Sequence, residues 1–195
     1  MHAAGIYEGK PTEKVCVADY VVSSYTPSLS AVIRAREGFV AVHRHELRAA
    51  LYADTGTHGG HPSIPEVIKE VKTVNHILTS NLASADMNVN NASTAESMFQ
   101  HASDTHILHL ACHGHQHKDP LQSSFALKHP LTISDLMKLD LKNAILAYLS
   151  ACETAKGDEK HVDQAVHLAA SMLFCGFRSV VATMWYVHLE GNCLA

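Results

Sequence analysis

The chain has 195 residues, 47% apolar and 17% charged, which is the composition of a folded domain with a full core and not of a disordered chain. Its formal charge of −4, with no cluster of Lys or Arg, argues against a nucleic-acid partner. No apolar run is long enough for a membrane span, no secretory leader opens the chain, and five scattered cysteines make no disulfide framework, so a cytoplasmic protein is expected.

In chain order, Val15–Ser23 is rich in Val and Tyr and reads as a strand. Thr26-Pro27-Ser28 breaks it and opens a helix through about Arg36, with Ser28 as N-cap. Phe39–His43 is a second candidate strand, and Ala49–His61 reads as a loop from its glycines and Pro62. Ser63-Ile64-Pro65-Glu66 has capping-box spacing. Ile68, Val71 and Leu78 follow at helical spacing, with Lys69, Glu70 and Lys72 between them, as on a surface helix with one buried stripe. Asn81–Asn91 is polar and reads as a loop with room for a short strand. Ser93-Thr94-Ala95-Glu96 is a second capping box, opening a helix to about His101.

Two short apolar runs then stop at reactive side chains. One is 106–114, His-Ile-Leu-His-Leu-Ala-Cys-His-Gly; the other is 144–154, Ala-Ile-Leu-Ala-Tyr-Leu-Ser-Ala-Cys-Glu-Thr. Such runs suit buried strands of a parallel sheet. Between them, Gly114–Lys118 reads as a loop, Ser123–Leu127 as a small strand, and Leu131–Ser134 as the lead into a short helix to about Leu139. Lys156–His161 is a charged loop. Asp163–Phe174 is a helix with a broad apolar face, closed by Gly176 at the C′ position. Ser179–Met184 is a further buried strand. Strands alternating with helices predict an α/β sandwich with a mainly parallel central sheet.

Ligands of open α/β sheets bind beyond the carboxyl ends of the strands. His113 and Cys152 would both stand there, and an imidazole beside a thiol is a base–nucleophile pair. Backbone N–H groups of Gly114 and Cys152 are candidate donors to an oxyanion. Cys112 is the rival nucleophile, but strand alternation turns it away from its neighbour His113, so it reads as buried. Cys16 and Cys175 read as core residues. His109, His113, His115 and His117 suggest zinc, yet their spacing fits neither HExxH nor a Cys/His finger; no metal or other cofactor is expected. His115 and His117 read as exposed loop residues, and Glu153, Asp158 and Glu159 as a solvated acidic loop. Trp185 reads as packing, or as a pocket wall if its strand neighbours 144–150.

Taken together, His-Leu-Ala-Cys-His-Gly at 109–114, Leu-Thr-Ile-Ser-Asp-Leu at 131–136, Leu-Ser-Ala-Cys-Glu-Thr at 149–154 and Ser-Val-Val-Ala-Thr-Met-Trp at 179–185 resemble the CHAT domain, a family of caspase-like cysteine peptidases. Weaker matches lie at 2–5, 24–29 and 64–67. The resemblance implies a three-layer α/β/α caspase-like sandwich over residues 1–195, with the family's first strand and C-terminal part missing. It implies His113 as general base and Cys152 as nucleophile, acting on a protein or peptide substrate. Aspartate specificity is not carried over, because the caspase-proper motif Gln-Ala-Cys-x-Gly is absent. The alternative is a catalytically inactive fragment that binds other protein chains as an interaction or regulatory module.

Overall fold

The computed structural model describes residues 5–6, 15–21, 26, 28, 29–38, 41–56, 63–115, 117, 119–139, 141, 143–151 and 164–182. The first elements are short. Strands β1 (Gly5–Ile6) and β2 (Val15–Cys16) pair antiparallel, and the chain then turns through a 3₁₀ segment at Val17–Asp19. The strand expected to run on from Val15 therefore ends at Cys16. Helix α1 (Leu29–Arg36) starts where the sequence predicts: the Ser28 hydroxyl accepts a hydrogen bond from the Ala31 amide at 3.2 Å.

The main sheet holds five parallel strands: β3 (Arg48–Ala53), β4 (Ser84–Val89), β5 (Ile107–Ala111), β9 (Leu146–Ser150) and β10 (Ser179–Ala182). Their order is β10-β9-β5-β3-β4. Between β5 and β9, strands β6 (His113–His115), β7 (Ser124–Ala126) and β8 (Leu131–Thr132) form a small antiparallel sheet.

Strand β3 corrects two expectations. No strand forms at the described residues 41–43; it lies at 48–53, in the stretch that composition marks as a loop. Ala49, Ala50, Leu51, Tyr52 and Ala53 are all buried, because β3 is covered on both faces. Burial on both faces removes the polar alternation that identifies a half-exposed strand. Strand β4 occupies the polar 84–89 segment as a half-exposed edge of the sheet.

Alternation along the strands sorts their residues into two cores. Ala50, Tyr52, Leu108, Leu110, Ala147 and Leu149 face one side. There they meet Ala95 and Met98 of α3 (Ala95–His101), Ile133 and Leu136 of α4 (Ile133–Leu136), and Leu168 and Met172 of α5 (Gln164–Phe174). Ala49, Leu51, Ala53, Ile107 and Ala111 face the other side and pack on Val67 and Val71 of α2 (Glu66–Thr79). The result is the expected three-layer α/β/α architecture.

The helix ends show which local signals hold. Helix α2 begins after Pro65 with no side-chain cap, so the Ser63 capping box does not form. The second predicted box shifts by one residue: Thr94 Oγ1 accepts from the Ser97 amide at 3.1 Å, and Ser97 Oγ takes the Thr94 amide at 3.4 Å. Ser93 is instead buried, and its hydroxyl has no hydrogen-bond partner among the described residues. Thr132 and Asp135 form a reciprocal box at α4, which ends at Leu136 rather than near Leu139.

Helix α5 closes as the sequence predicts. Gly176 has a φ of +119°; its amide donates to Leu173 O at 3.3 Å, and the Phe177 amide donates to Met172 O at 3.2 Å. That is a Schellman closure, and Met172 and Phe177 both lie buried in the core beside it.

Candidate active site

Strands β5 and β9 are hydrogen-bonded neighbours, parallel and in a register that sets Ala111 opposite Ser150. The register offset along the pair, from 107 to 146, is 39 residues. His113 and Cys152 are separated by the same 39 residues and follow the last paired positions by two each. The adjacency expected for the two motifs is thus observed in the strands that carry them. Cys152, Glu153, Asp158, Glu159 and Trp185 lie outside the described residues. Strand β10 does pair with β9, the neighbour relationship on which a pocket role for Trp185 depends.

Past Ala111 the chain bends at Cys112 and enters β6, correcting the loop expected from Gly114 onward. His113 pairs with Ala126 and Gly114 with Phe125. His113 is only 4% exposed and Gly114 is also buried, whereas His115 and His117 are exposed as expected. Pairing with β7 holds the backbone at 113–115 in a fixed frame just past the end of β5.

Cys112 is buried as expected, at 1% exposure among the residues packed by α3, α4 and α5. Burial is the largest influence on its thiol and pushes its pKa far above the ordinary range; the nearby Asp54 charge adds to this. A hydrogen bond with the Ala126 backbone opposes them without reversing the shift. A thiol so held is neutral and a poor nucleophile. Cys175 caps the end of α5 half-buried, and burial raises its pKa to about 11.

Two polar groupings at this end of the sheet escaped the sequence reading. Asp54 follows β3 fully buried, accepts from the Gly56 amide at 2.9 Å and donates its own amide to Ala111 O at 3.0 Å. Beside it, Asn90 Oδ1 accepts from the Thr55 amide at 2.9 Å and from Thr55 Oγ1 at 3.1 Å. Asp54-Thr55-Gly56 directly after a five-residue apolar run was the available signal.

The second grouping centres on Glu70, expected to be solvated. Its Oε1 lies 2.9 Å from His109 Nε2, and its Oε2 accepts from Ser150 Oγ at 2.9 Å. Burial acts first to raise the Glu70 pKa, but the hydrogen bonds from His109 and Ser150 and the His109 charge outweigh it, and the net shift is downward. The His109 ring also meets that of Tyr148 at 5.0 Å between centroids. His109, a zinc candidate by sequence, therefore bonds to a carboxylate. Among the described residues no three His, Cys, Asp or Glu side chains converge on a metal position.

A profile of the CHAT domain matches residues 7–192, nearly the whole chain. The chain belongs to the CHAT-domain family. Membership puts it in the caspase-like peptidase superfamily, and the parallel sheet between two helical layers agrees with that fold. No curated protein matches the chain. The two sequence motifs of this CHAT domain include the neighbouring strands β5 and β9, and in sequence His113 and Cys152 each follow the last paired position by two residues. Among the described residues no helix is long and apolar enough to cross a membrane.

Proposed function

We propose that this CHAT domain is a cytoplasmic cysteine endopeptidase acting on protein or peptide substrates. The observation that carries the reading is the β5–β9 register, whose 39-residue offset matches the separation of His113 from Cys152. In this mechanism His113 takes the thiol proton as the Cys152 sulfur attacks the scissile carbonyl carbon. The amides of Gly114 and Cys152 donate to the oxyanion of the tetrahedral intermediate. Collapse expels the amine, which receives the proton from His113, and leaves an acyl-enzyme. Water then attacks the thioester with His113 as base, releasing the acid and restoring the thiol.

The test is labelling of the purified chain by a peptide carrying a thiol-directed acylating group. Cys152→Ala should lose the label and keep its far-ultraviolet circular dichroism. His113→Gln should acylate about 10²- to 10⁴-fold more slowly, the usual contribution of a positioned acid–base. Label found on Cys112 instead overturns the assignment.

A second reading, a catalytically silent interaction module, is favoured by one feature. Tyr148 of β9 and Val181 of β10 are 42% and 48% exposed on the sheet face that α2 covers over β3, β4 and β5. That reading requires the cellular role to survive Cys152→Ala.

A further inference from the structure

The Glu70 carboxylate bonds to both β5 and β9, the strands leading to the proposed dyad. His109, on β5, lies four residues before His113 in sequence, and Ser150, the last residue of β9, lies two before Cys152. The two oxygens of one carboxylate divide between them, each at 2.9 Å. His109 is register partner to Tyr148, and Ser150 follows two positions later on the same face. Further fixing comes from the Tyr148 ring, which flanks the His109 imidazole.

Anchoring α2 does not require this group. The helix already holds the sheet through Val67 and Val71, with Ile68, Val74 and Leu78 packed beside them. An ionisable side chain brought to a half-buried position carries a desolvation cost that a hydrophobe of similar size would avoid. What the carboxylate adds is direction: two hydrogen bonds of fixed length to two strands restrict their relative slide and splay. Reaction rates are far more sensitive to such displacements than stability is.

We propose that Glu70 is a positioning residue, clamping the ends of β5 and β9 through His109 and Ser150 so that the groups that follow meet correctly. This inference rests on the peptidase reading. Its partner Ser150 is the second member of the clamp, and neither group exchanges a proton with substrate.

The experiment compares the full-length chain with Glu70→Gln, Ser150→Ala, Ser150→Thr and the Glu70→Gln/Ser150→Ala double variant. Each is acylated by the same peptide probe, well below its melting temperature. The clamp predicts a drop of roughly tenfold to a hundredfold in the limiting acylation rate for Glu70→Gln and Ser150→Ala, with half-saturation unchanged. The double variant should be no slower than the slower single one, because both break the same unit. Ser150→Thr, which keeps a hydroxyl, should recover most of the rate. Variants that melt earlier but acylate like the wild type would make Glu70 a structural residue only and overturn the clamp. A reactive wild type with unaffected variants sinks the clamp alone; an unreactive wild type sinks the peptidase reading and the clamp with it. Ser150→Ala removes a single oxygen and leaves the His109–Glu70 contact in place, so a folded variant is available even if Glu70→Gln does not fold.

Discussion

Ala111 and Ser150 face each other at the last paired step of β5 and β9, and both strands end at that step. On the β5 side the next residue, Cys112, turns into the core shared with α3, α4 and α5. The rival thiol is thereby removed from the strand ends.

Native alkylation should show this. At neutral pH iodoacetamide is expected to leave Cys112 unmodified, since its sulfur is both enclosed and held neutral. Cys175, with a pKa of about 11, should react slowly, on the order of 10⁻⁴ of it being thiolate at pH 7. Both should label fully in denaturant. Peptide mapping by mass spectrometry reads the result, and rapid native labelling of Cys112 would contradict the packing described.

The acid limb of stability should carry the mark of Glu70 and Asp135. The Asp135 pKa is lowered chiefly by its hydrogen bond from Lys138 and next by that from Thr132; the Glu70 pKa is lowered because its two hydrogen bonds prevail over burial. A carboxyl whose pKa is lower folded than unfolded stabilises the fold above its unfolded value, about 3.9 for Asp and 4.3 for Glu. That stabilisation falls away as the pH drops through the lower folded values. Urea midpoints measured from pH 7 to pH 2 should therefore decline mainly below about pH 4.5. Glu70→Gln and Asp135→Asn should each flatten the decline; a variant whose acid limb parallels the wild type would mean that its carboxyl does not stabilise the fold.

Gly176→Ala should destabilise the protein by about 1–3 kcal/mol. An added Cβ would lie 3.5 Å from both the Cβ and the carbonyl oxygen of Leu141, ordinary contact distances, so the cost comes from the φ of +119° and not from collision. In a chain of this size that corresponds to a melting point lower by roughly 2–4 °C per kcal/mol, readable by calorimetry. An unchanged melting point would mean that the α5 closure rearranges.

What the sequence made legible depended on contrast between neighbouring residues. Strands β5 and β9 announced themselves as apolar runs ending at His, Gly, Ser and Cys, and α5 by its apolar face and Gly176. Strand β3 had no such contrast. Its three alanines have weak strand preference, and burial on both faces leaves no alternation to detect. Strand β4 was hidden for the opposite reason, being a polar edge whose backbone pairing with β3, not its side chains, makes it a strand. Glu70 resembled any solvated helix residue because its partners, His109 and Ser150, lie 39 and 80 residues away. A long-range hydrogen bond of that kind leaves no local trace. The strand frame of the site was readable, while the polar groups that brace it required the fold.

Every pairing in the five-stranded sheet joins segments distant along the chain, the nearest being Leu146 with Ser179 and the farthest Ala49 with Ile107. No hairpin can nucleate such a sheet, and each contact must first meet the entropy of closing a long loop. The chain should accordingly fold on the slow side for its length, with β5 and β9 brought side by side only as the whole sheet condenses. A nascent or partly folded chain would then lack the joined strand ends, keeping any reactivity there silent until the domain is complete.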